Sequence, residues 1–259
     1  MIEKAQKDGV QDLDFRNFGL KKLPPTIGRL SNLLRLTLSG NLLKQLPPQI
    51  GNLVELRVLN CSSNRLQELP QEITQCLALE ELKLANNALK AMPRGFGSMN
   101  HLTILDVSTN QIEEFSAQLG YLNTLRELYA SDNKLHSLPP EIGKCVSLEK
   151  LMISQNRLTS LPVELGGCLR LHSLDISENE IQLIPPEVGQ LPGLKIISLA
   201  NNPPLLEPIK DAARGGQQSV LTYLRSPEYE EVYHSIHKAE HADDSLYTAE
   251  DDAAKYSEF

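Results

Sequence analysis

The stretch that decides the fold is LTLSGNLLKQLPPQIGNLVELRV, residues 36–58. It has the form LxLxxNxLxxLPxxIGxLxxLxx, and the chain repeats this form with a fixed step of 23 residues. The asparagine of the motif recurs at Asn41, Asn64, Asn87, Asn110, Asn133, Asn156, Asn179 and Asn202. Leu13 extends the pattern one step towards the N-terminus, with Phe18 at the asparagine position. The sequence therefore contains nine units, of which the first is a variant.

The LxL pattern of each unit has a period of two, which predicts a short strand with one face buried. A single unit cannot bury its apolar side chains alone, so the units are expected to stack as a solenoid. Parallel strands lie about 4.8 Å apart, so nine strands would span roughly 40 Å. We interpret the repeated asparagine as structural, because its amide can satisfy backbone groups that the turn leaves unpaired.

These motifs resemble those of the leucine-rich repeat family, in the 23-residue class whose units end in LPxxIG, over about residues 13–203. The resemblance implies an α/β solenoid of horseshoe shape. Its concave face would be a parallel β-sheet of about nine strands, its convex side irregular or short helical, and its C-terminal cap helical.

The ends of the solenoid need covering, and both flanking segments contain helix signals. We predict an N-terminal cap over residues 1–12, repeats over 13–203, a helical cap over 204–239 and an acidic tail over 240–259. The N-terminal cap is expected to contain a short helix over residues 2–7. The C-terminal cap is expected to contain helices near 207–214, 217–225 and 227–240, the last with Ser226 as N-cap and Pro227 at its first position.

Charge and hydropathy exclude two classes of partner. The net charge is −8, and residues 240–259 alone contain seven acidic residues and one lysine, so the repeats are nearly neutral. No basic stripe for nucleic acid is present. No apolar run approaches the roughly 18 residues of a membrane span, and the polar start MIEKAQKDGVQ does not fit a secretory signal.

The four cysteines occupy positions that other repeats give to buried leucines. Cys61 stands at the position of Leu38, and Cys76, Cys145 and Cys168 stand at the position of Leu53. We therefore expect buried, reduced thiols. Extracellular members of the family usually close their ends with cysteine-rich caps, which this sequence does not show, so we expect a cytoplasmic protein.

The strand positions between buried leucines are expected to project from the concave face. Tyr129 is the only aromatic residue in two such columns, with Met152 one repeat further on and Ile104 beside it. An apolar, aromatic centre with a charged rim is typical of a protein-binding surface. The predicted binding residues are Lys83, Ile104, Asp106, Glu127, Tyr129, Asp132, Lys150, Met152, Arg157 and Asp175. The alternative is an isolated surface aromatic that binds nothing.

The fifth repeat departs from the motif, with Phe115 in place of leucine and Ser116 in place of proline. Loss of the proline frees the backbone and could reshape the turn into a second contact site. Neutral sequence drift is the other interpretation, and the one we favour.

Four further stretches narrow the resemblance to the Ras suppressor branch of this class: PRGFGS (93–98), LRELYASDN (125–133), LPPEIGK (138–144) and YLRSPEYEEVY (223–233). The resemblance implies a monomeric, non-enzymatic adaptor without a cofactor, in Ras-linked or cell-adhesion signalling. Its partner would be a LIM-domain adaptor on the concave face, and its location the cytoplasm and cell-adhesion sites. The wider Shoc-like class implies an alternative, a scaffold for a small GTPase or a phosphatase.

An enzyme is the alternative of another class. His234, His237 and His241 follow each other at helical spacing near the C-terminus, and with Glu230 they could hold a metal ion. A solvated helix face is the simpler interpretation of the same spacing, and we favour it.

Overall fold

The computed structural model describes residues 2–236, and its centre is one sheet of nine parallel strands. Each strand pairs with the strands of the preceding and following repeats, so the order in the sheet follows the chain. The strands are β1 (Asp12–Asp14), β2 (Arg35–Thr37), β3 (Val58–Asn60), β4 (Glu81–Lys83), β5 (Ile104–Asp106), β6 (Glu127–Tyr129), β7 (Lys150–Met152), β8 (Ser173–Asp175) and β9 (Ile196–Ser198). This confirms the predicted horseshoe solenoid with its nine-stranded concave sheet.

The convex side is built from short helical turns, as expected. Seven repeats each contribute a 3-10 helix, and the eighth contributes the α-helix Pro186–Gly189. The 3-10 helices are Pro25–Arg29, Pro48–Asn52, Gln71–Gln75, Phe96–Ser98, Ala117–Tyr121, Pro140–Lys144 and Val163–Gly167. Three of them begin with a proline, whose fixed φ suits the first position of a helix.

The glycine of the LPxxIG motif is required because the next repeat lies against it. A Cβ atom on Gly120 would lie 2.5 Å from the carbonyl oxygen of Glu141, and one on Gly97 would lie 2.7 Å from that of Gln118. Both neighbours are backbone atoms, which cannot move aside without shifting the adjacent repeat.

The repeated asparagine is architectural, because it joins neighbouring repeats through buried hydrogen bonds. Asn133 donates from Nδ2 to the carbonyl oxygens of Val107 at 3.0 Å and Ala130 at 3.1 Å. Its Oδ1 accepts the backbone N–H of Ile112 at 2.9 Å. The same set of bonds recurs at Asn156 one repeat later, so one ladder of amides runs along the solenoid.

The fifth repeat keeps the geometry of its neighbours despite its altered sequence. Ser116 has φ −72° and ψ 164°, close to the φ −67° and ψ 140° of Pro139 at the same position one repeat later. Phe115 is buried. The turn is therefore not reshaped, and the idea of a second contact site there loses its geometric basis.

All four cysteines are buried and free, in agreement with the sequence analysis. Burial raises the pKa of the Cys61 thiol to about 12 and that of Cys76 to about 11. Three of the thiols donate hydrogen bonds to carbonyl oxygens of the preceding repeat; Cys145, for example, donates to Leu119 at 3.3 Å. These thiols therefore belong to the core and are chemically inert.

Helices cover both ends of the solenoid. The N-terminal helix α1 (Ile2–Lys7) buries Ala5. At the other end, Pro186–Gly189 (α2) is followed by α3 (Glu207–Arg214), α4 (Gln217–Leu224) and a helix, α5, from residue 227 to the end of the described range. The predicted end of α5 at residue 240 and the acidic tail lie outside the described residues.

One tyrosine anchors α5 to the repeats. The Tyr229 hydroxyl donates to the carbonyl oxygen of Ile184 at 2.5 Å and accepts the Ile184 N–H at 3.0 Å. The Ser226 hydroxyl accepts the Tyr229 N–H at 3.2 Å, which confirms Ser226 as the N-cap. Within residues 2–236, every helix is too short or too polar to cross a bilayer.

Candidate protein-binding surface

The strand register arranges most of the predicted site residues in two rows across the concave face. In β4 to β7 the middle residue of each strand is buried, and the residues on either side of it are half-buried and project from the opposite face. The centre row contains Lys83, Asp106, Tyr129, Met152 and Asp175. The second row contains Glu81, Ile104, Glu127 and Lys150. Eight of the ten predicted residues belong to these rows.

The middle of the surface is a hydrogen-bonded cluster of Glu127, Tyr129 and Lys150. The Tyr129 hydroxyl donates to Glu127 Oε2 at 2.7 Å, and Lys150 Nζ donates to Glu127 Oε1 at 2.8 Å. The side chains of Lys150 and Glu127 are 37% and 24% exposed, so solvent partly screens the ion pair. The two hydrogen bonds therefore join the phenol and the ammonium group through one shared carboxylate.

The cluster has a defined protonation state at neutral pH. Burial opposes ionisation of Glu127, but the hydrogen bonds from Lys150 and Tyr129 outweigh it and hold the pKa of this carboxyl below its usual value. Burial, together with the hydrogen bond to Glu127, raises the pKa of Tyr129. The hydrogen bond to Glu127 also raises the pKa of Lys150. The cluster therefore contains a carboxylate, a neutral phenol and an ammonium group.

The other charged residues of the rows fall into two kinds. Lys83 is paired, because its Nζ donates to Glu81 Oε2 at 2.9 Å. Asp106 and Asp175 instead use Oδ1 to accept the backbone N–H two residues ahead, at 3.1 Å in both cases. Neither aspartate has a lysine or arginine partner among residues 2–236.

Two predicted residues lie outside the rows. Asp132 is exposed in the turn that follows β6, where its φ is +55°, and Arg157 is exposed in the corresponding turn after β7. Both follow strands of the concave sheet and make no side-chain hydrogen bond in the described part of the chain.

Two features of the surface were missed in the sequence: Glu81 in the second row, and a column of exposed apolar residues outside the two rows. Glu81 pairs with Lys83, but a column of letters does not show which charges meet. Val54, Leu77, Val146 and Leu169 are more than half exposed, one residue after the buried position of Leu53. Their spacing in multiples of 23 could have identified this column.

The proposed metal site cannot be assembled from the described residues. His234 lies in α5, where its ring meets that of Tyr233 edge-on at 5.6 Å. His237 and His241 lie outside the described residues. Within residues 2–236 no group of three or more histidine, cysteine, aspartate or glutamate side chains is placed to hold a metal ion.

Comparison with solved structures relates this fold to bacterial proteins. A leucine-rich repeat protein of Leptospira interrogans is 30% identical with a TM-score of 0.67, covering 78% of this chain and 58% of its own. The internalin InlF of Listeria monocytogenes is 22% identical with a TM-score of 0.61, covering 70% of this chain and 52% of its own. The chain thus spans little more than half the length of either protein. In all, 467 solved chains match, so the fold alone does not select a function.

Family models give the most direct assignment. A leucine-rich repeat region matches residues 34–138, a model of two leucine-rich repeats matches 123–165, and a single-repeat model matches 170–191. No curated protein sequence matches the chain significantly. The three models together cover more than half of the 259 residues, and the chain belongs to the leucine-rich repeat family.

Proposed function

We propose that this chain is a non-enzymatic protein-binding module whose concave face holds its partner around Tyr129 and Met152. Leucine-rich repeat proteins generally mediate protein–protein interaction, which supports a binding role. The observation that carries the proposal is the position of Tyr129, the only aromatic side chain in the two rows. It lies on β6, next to the middle strand β5, and its hydroxyl is hydrogen-bonded to Glu127.

This arrangement suits binding for two physical reasons. The hydrogen bond from the Tyr129 hydroxyl to Glu127 holds the ring before a partner arrives, so little side-chain entropy is lost on association. Met152, directly opposite Tyr129 on the neighbouring strand, offers a flexible and polarisable side chain that adapts to the shape of a partner. The charged residues on either side would set orientation and association rate.

The finer form of the proposal concerns the partner and the compartment, and its choice of partner rests on the sequence resemblance alone. It describes a monomeric cytoplasmic adaptor in Ras-linked or cell-adhesion signalling that binds a LIM-domain adaptor. The alternative partner is a small GTPase or a phosphatase held by a Shoc-like scaffold. The four reduced, buried thiols support a reducing compartment.

The experiment is affinity capture from a lysate of the source cell, with wild type compared against a Tyr129→Ala/Met152→Ala variant. The matched control is Tyr121→Ala, which removes a 64% exposed tyrosine from the convex side. All three proteins must first show the same thermal unfolding midpoint. A partner retained by wild type and by the control but lost from the double variant supports the proposal. Partners that are indifferent to the double variant contradict it.

A further inference from the structure

The charges beside Tyr129 and Met152 define the chemistry of the partner. We propose, building on the concave-face function above, that the partner is a cationic protein segment that places an apolar side chain between two basic ones. The apolar side chain would lie on Tyr129 and Met152, and the basic ones would pair with Asp106 and Asp175. This arrangement follows from the order of the centre row, in which two carboxylates flank the tyrosine and the methionine.

The lysines of the two rows are already engaged. Lys150 is paired with Glu127 at 2.8 Å, and Lys83 is paired with Glu81 at 2.9 Å. Although Lys83 stands beside Asp106 in the centre row, its Nζ hydrogen-bonds to Glu81. These two pairs are neutral overall, so the negative charge left over in this part of the rows comes from Asp106 and Asp175.

Both aspartates keep an oxygen available for a partner. Asp106 uses Oδ1 to accept the Ser108 N–H at 3.1 Å. Asp175 uses Oδ1 to accept both the N–H of Ser177 at 3.1 Å and its hydroxyl at 2.7 Å. In both residues Oδ2 has no hydrogen bond among the described residues. The backbone bond holds each carboxylate in place, and a carboxylate oriented in this way is a strong acceptor for lysine or arginine.

The distance between the two aspartates sets the spacing of the partner's cations. Asp106 and Asp175 are separated by three strand-to-strand steps, or about 14 Å at the spacing of parallel strands. Lysine and arginine side chains of the partner are long enough to reach these carboxylates with their charged groups. Their aliphatic portions can meanwhile cover the apolar surface between the two aspartates. An acidic segment would instead meet two carboxylates without compensation.

The test is a selection from a random peptide library displayed on phage, run on four proteins. These are wild type, Asp106→Asn/Asp175→Asn, the Tyr129→Ala/Met152→Ala variant, and the control Glu55→Gln/Glu164→Gln. The control changes the net charge by the same amount at exposed carboxylates outside the two rows, neither of which is in an ion pair within the described chain. Binding of the enriched peptides to each protein is then measured at low and physiological salt.

We expect the peptides that need Tyr129 and Met152 to carry an excess of lysine and arginine. Their binding should weaken about tenfold in the aspartate double variant, remain unchanged in the glutamate control, and weaken with added salt. Peptides that need Tyr129 and Met152 but are neutral, acidic or indifferent to the aspartate variant would overturn the charge inference and leave the concave-face function standing. Peptides indifferent to both variants would count against both proposals. Absence of any enriched peptide would also overturn the charge inference, and the capture experiment above would then decide the function separately.

Discussion

Replacing Asn133 by alanine tests whether the asparagine ladder stabilises the solenoid. The side chain is buried, and its amide makes its three shortest hydrogen bonds to backbone groups of two repeats: the N–H of Ile112 and the carbonyl oxygens of Val107 and Ala130. A fourth, longer bond at 3.3 Å reaches the Ser131 oxygen, which also accepts the Thr109 N–H at 2.8 Å and so keeps a partner. Alanine fits the space but supplies none of these bonds. The cost depends on which of the three groups loses its last partner.

The structure shows that only one group is orphaned completely. The Val107 oxygen still accepts from Nδ2 of Asn110 at 2.9 Å, and the Ala130 oxygen still accepts from Nδ2 of Asn156 at 3.0 Å. The Ile112 N–H has no second acceptor among residues 2–236. A buried N–H without a partner costs about 1–3 kcal/mol, and each weakened carbonyl adds roughly 0.5 kcal/mol. The expected loss in the free energy of unfolding is therefore about 2–4 kcal/mol.

The assay is urea denaturation followed by far-UV circular dichroism, with Asn123→Ala as the matched control. Asn123 belongs to the preceding repeat, is exposed and makes no side-chain hydrogen bond with residues 2–236, so its removal should change stability by less than about 0.5 kcal/mol. A loss below about 1 kcal/mol for Asn133→Ala, or one equal to that of the control, would refute the accounting of hydrogen bonds.

Three further results are expected. Gly120→Ala should cost about 1–3 kcal/mol in the same urea assay, because the new Cβ would meet the Glu141 carbonyl oxygen at 2.5 Å; a neutral effect would mean that the repeats can separate freely. Tyr229→Phe should cost about 2–3 kcal/mol, because it leaves the buried N–H of Ile184 unpaired, whereas Tyr121→Phe on the convex surface should cost almost nothing; equal costs would argue against the anchor. The four thiols should react with Ellman's reagent only after unfolding, because burial raises their pKa in the folded protein to about 11 or 12; rapid labelling of the folded protein would contradict their burial. For the same reason the free energy of unfolding should fall as the pH rises above about 8.5, where the thiols ionise in the unfolded chain but not in the folded one.

The fold was predictable because every unit must bury the same set of apolar side chains against its neighbours. A leucine such as Leu128 is buried by its neighbours in every repeat, and a period of 23 residues fixes which side chains align. The structural role of Asn133 followed for the same reason, since the turn offers the same unpaired groups each time. Even where Phe115 and Ser116 replace the leucine and proline of the motif, the backbone of the turn keeps the geometry of the other repeats.

The pairing of charges on the concave face was not predictable from columns alone. The sequence placed Glu127, Lys150 and Tyr129 near each other, but rotamers decide that the phenol and the ammonium group share one carboxylate. Likewise, Lys83 pairs with Glu81 of its own strand, and Asp106 has no cationic partner among residues 2–236. Exposed side chains have several low-energy positions, so their partners depend on coordinates rather than on spacing.

The most direct test of the concave-face function is the affinity of the captured partner, measured by isothermal titration calorimetry. Wild type, Tyr129→Ala, Tyr129→Phe and the convex control Tyr121→Ala are compared at one salt concentration. We expect a Kd at least tenfold weaker for Tyr129→Ala and no change for the control. Tyr129→Phe should show an intermediate loss, because the ring remains while its hydrogen bond to Glu127 is gone. An unchanged Kd for Tyr129→Ala, or a larger loss for Tyr121→Ala, would contradict the placement of the binding site on the concave face.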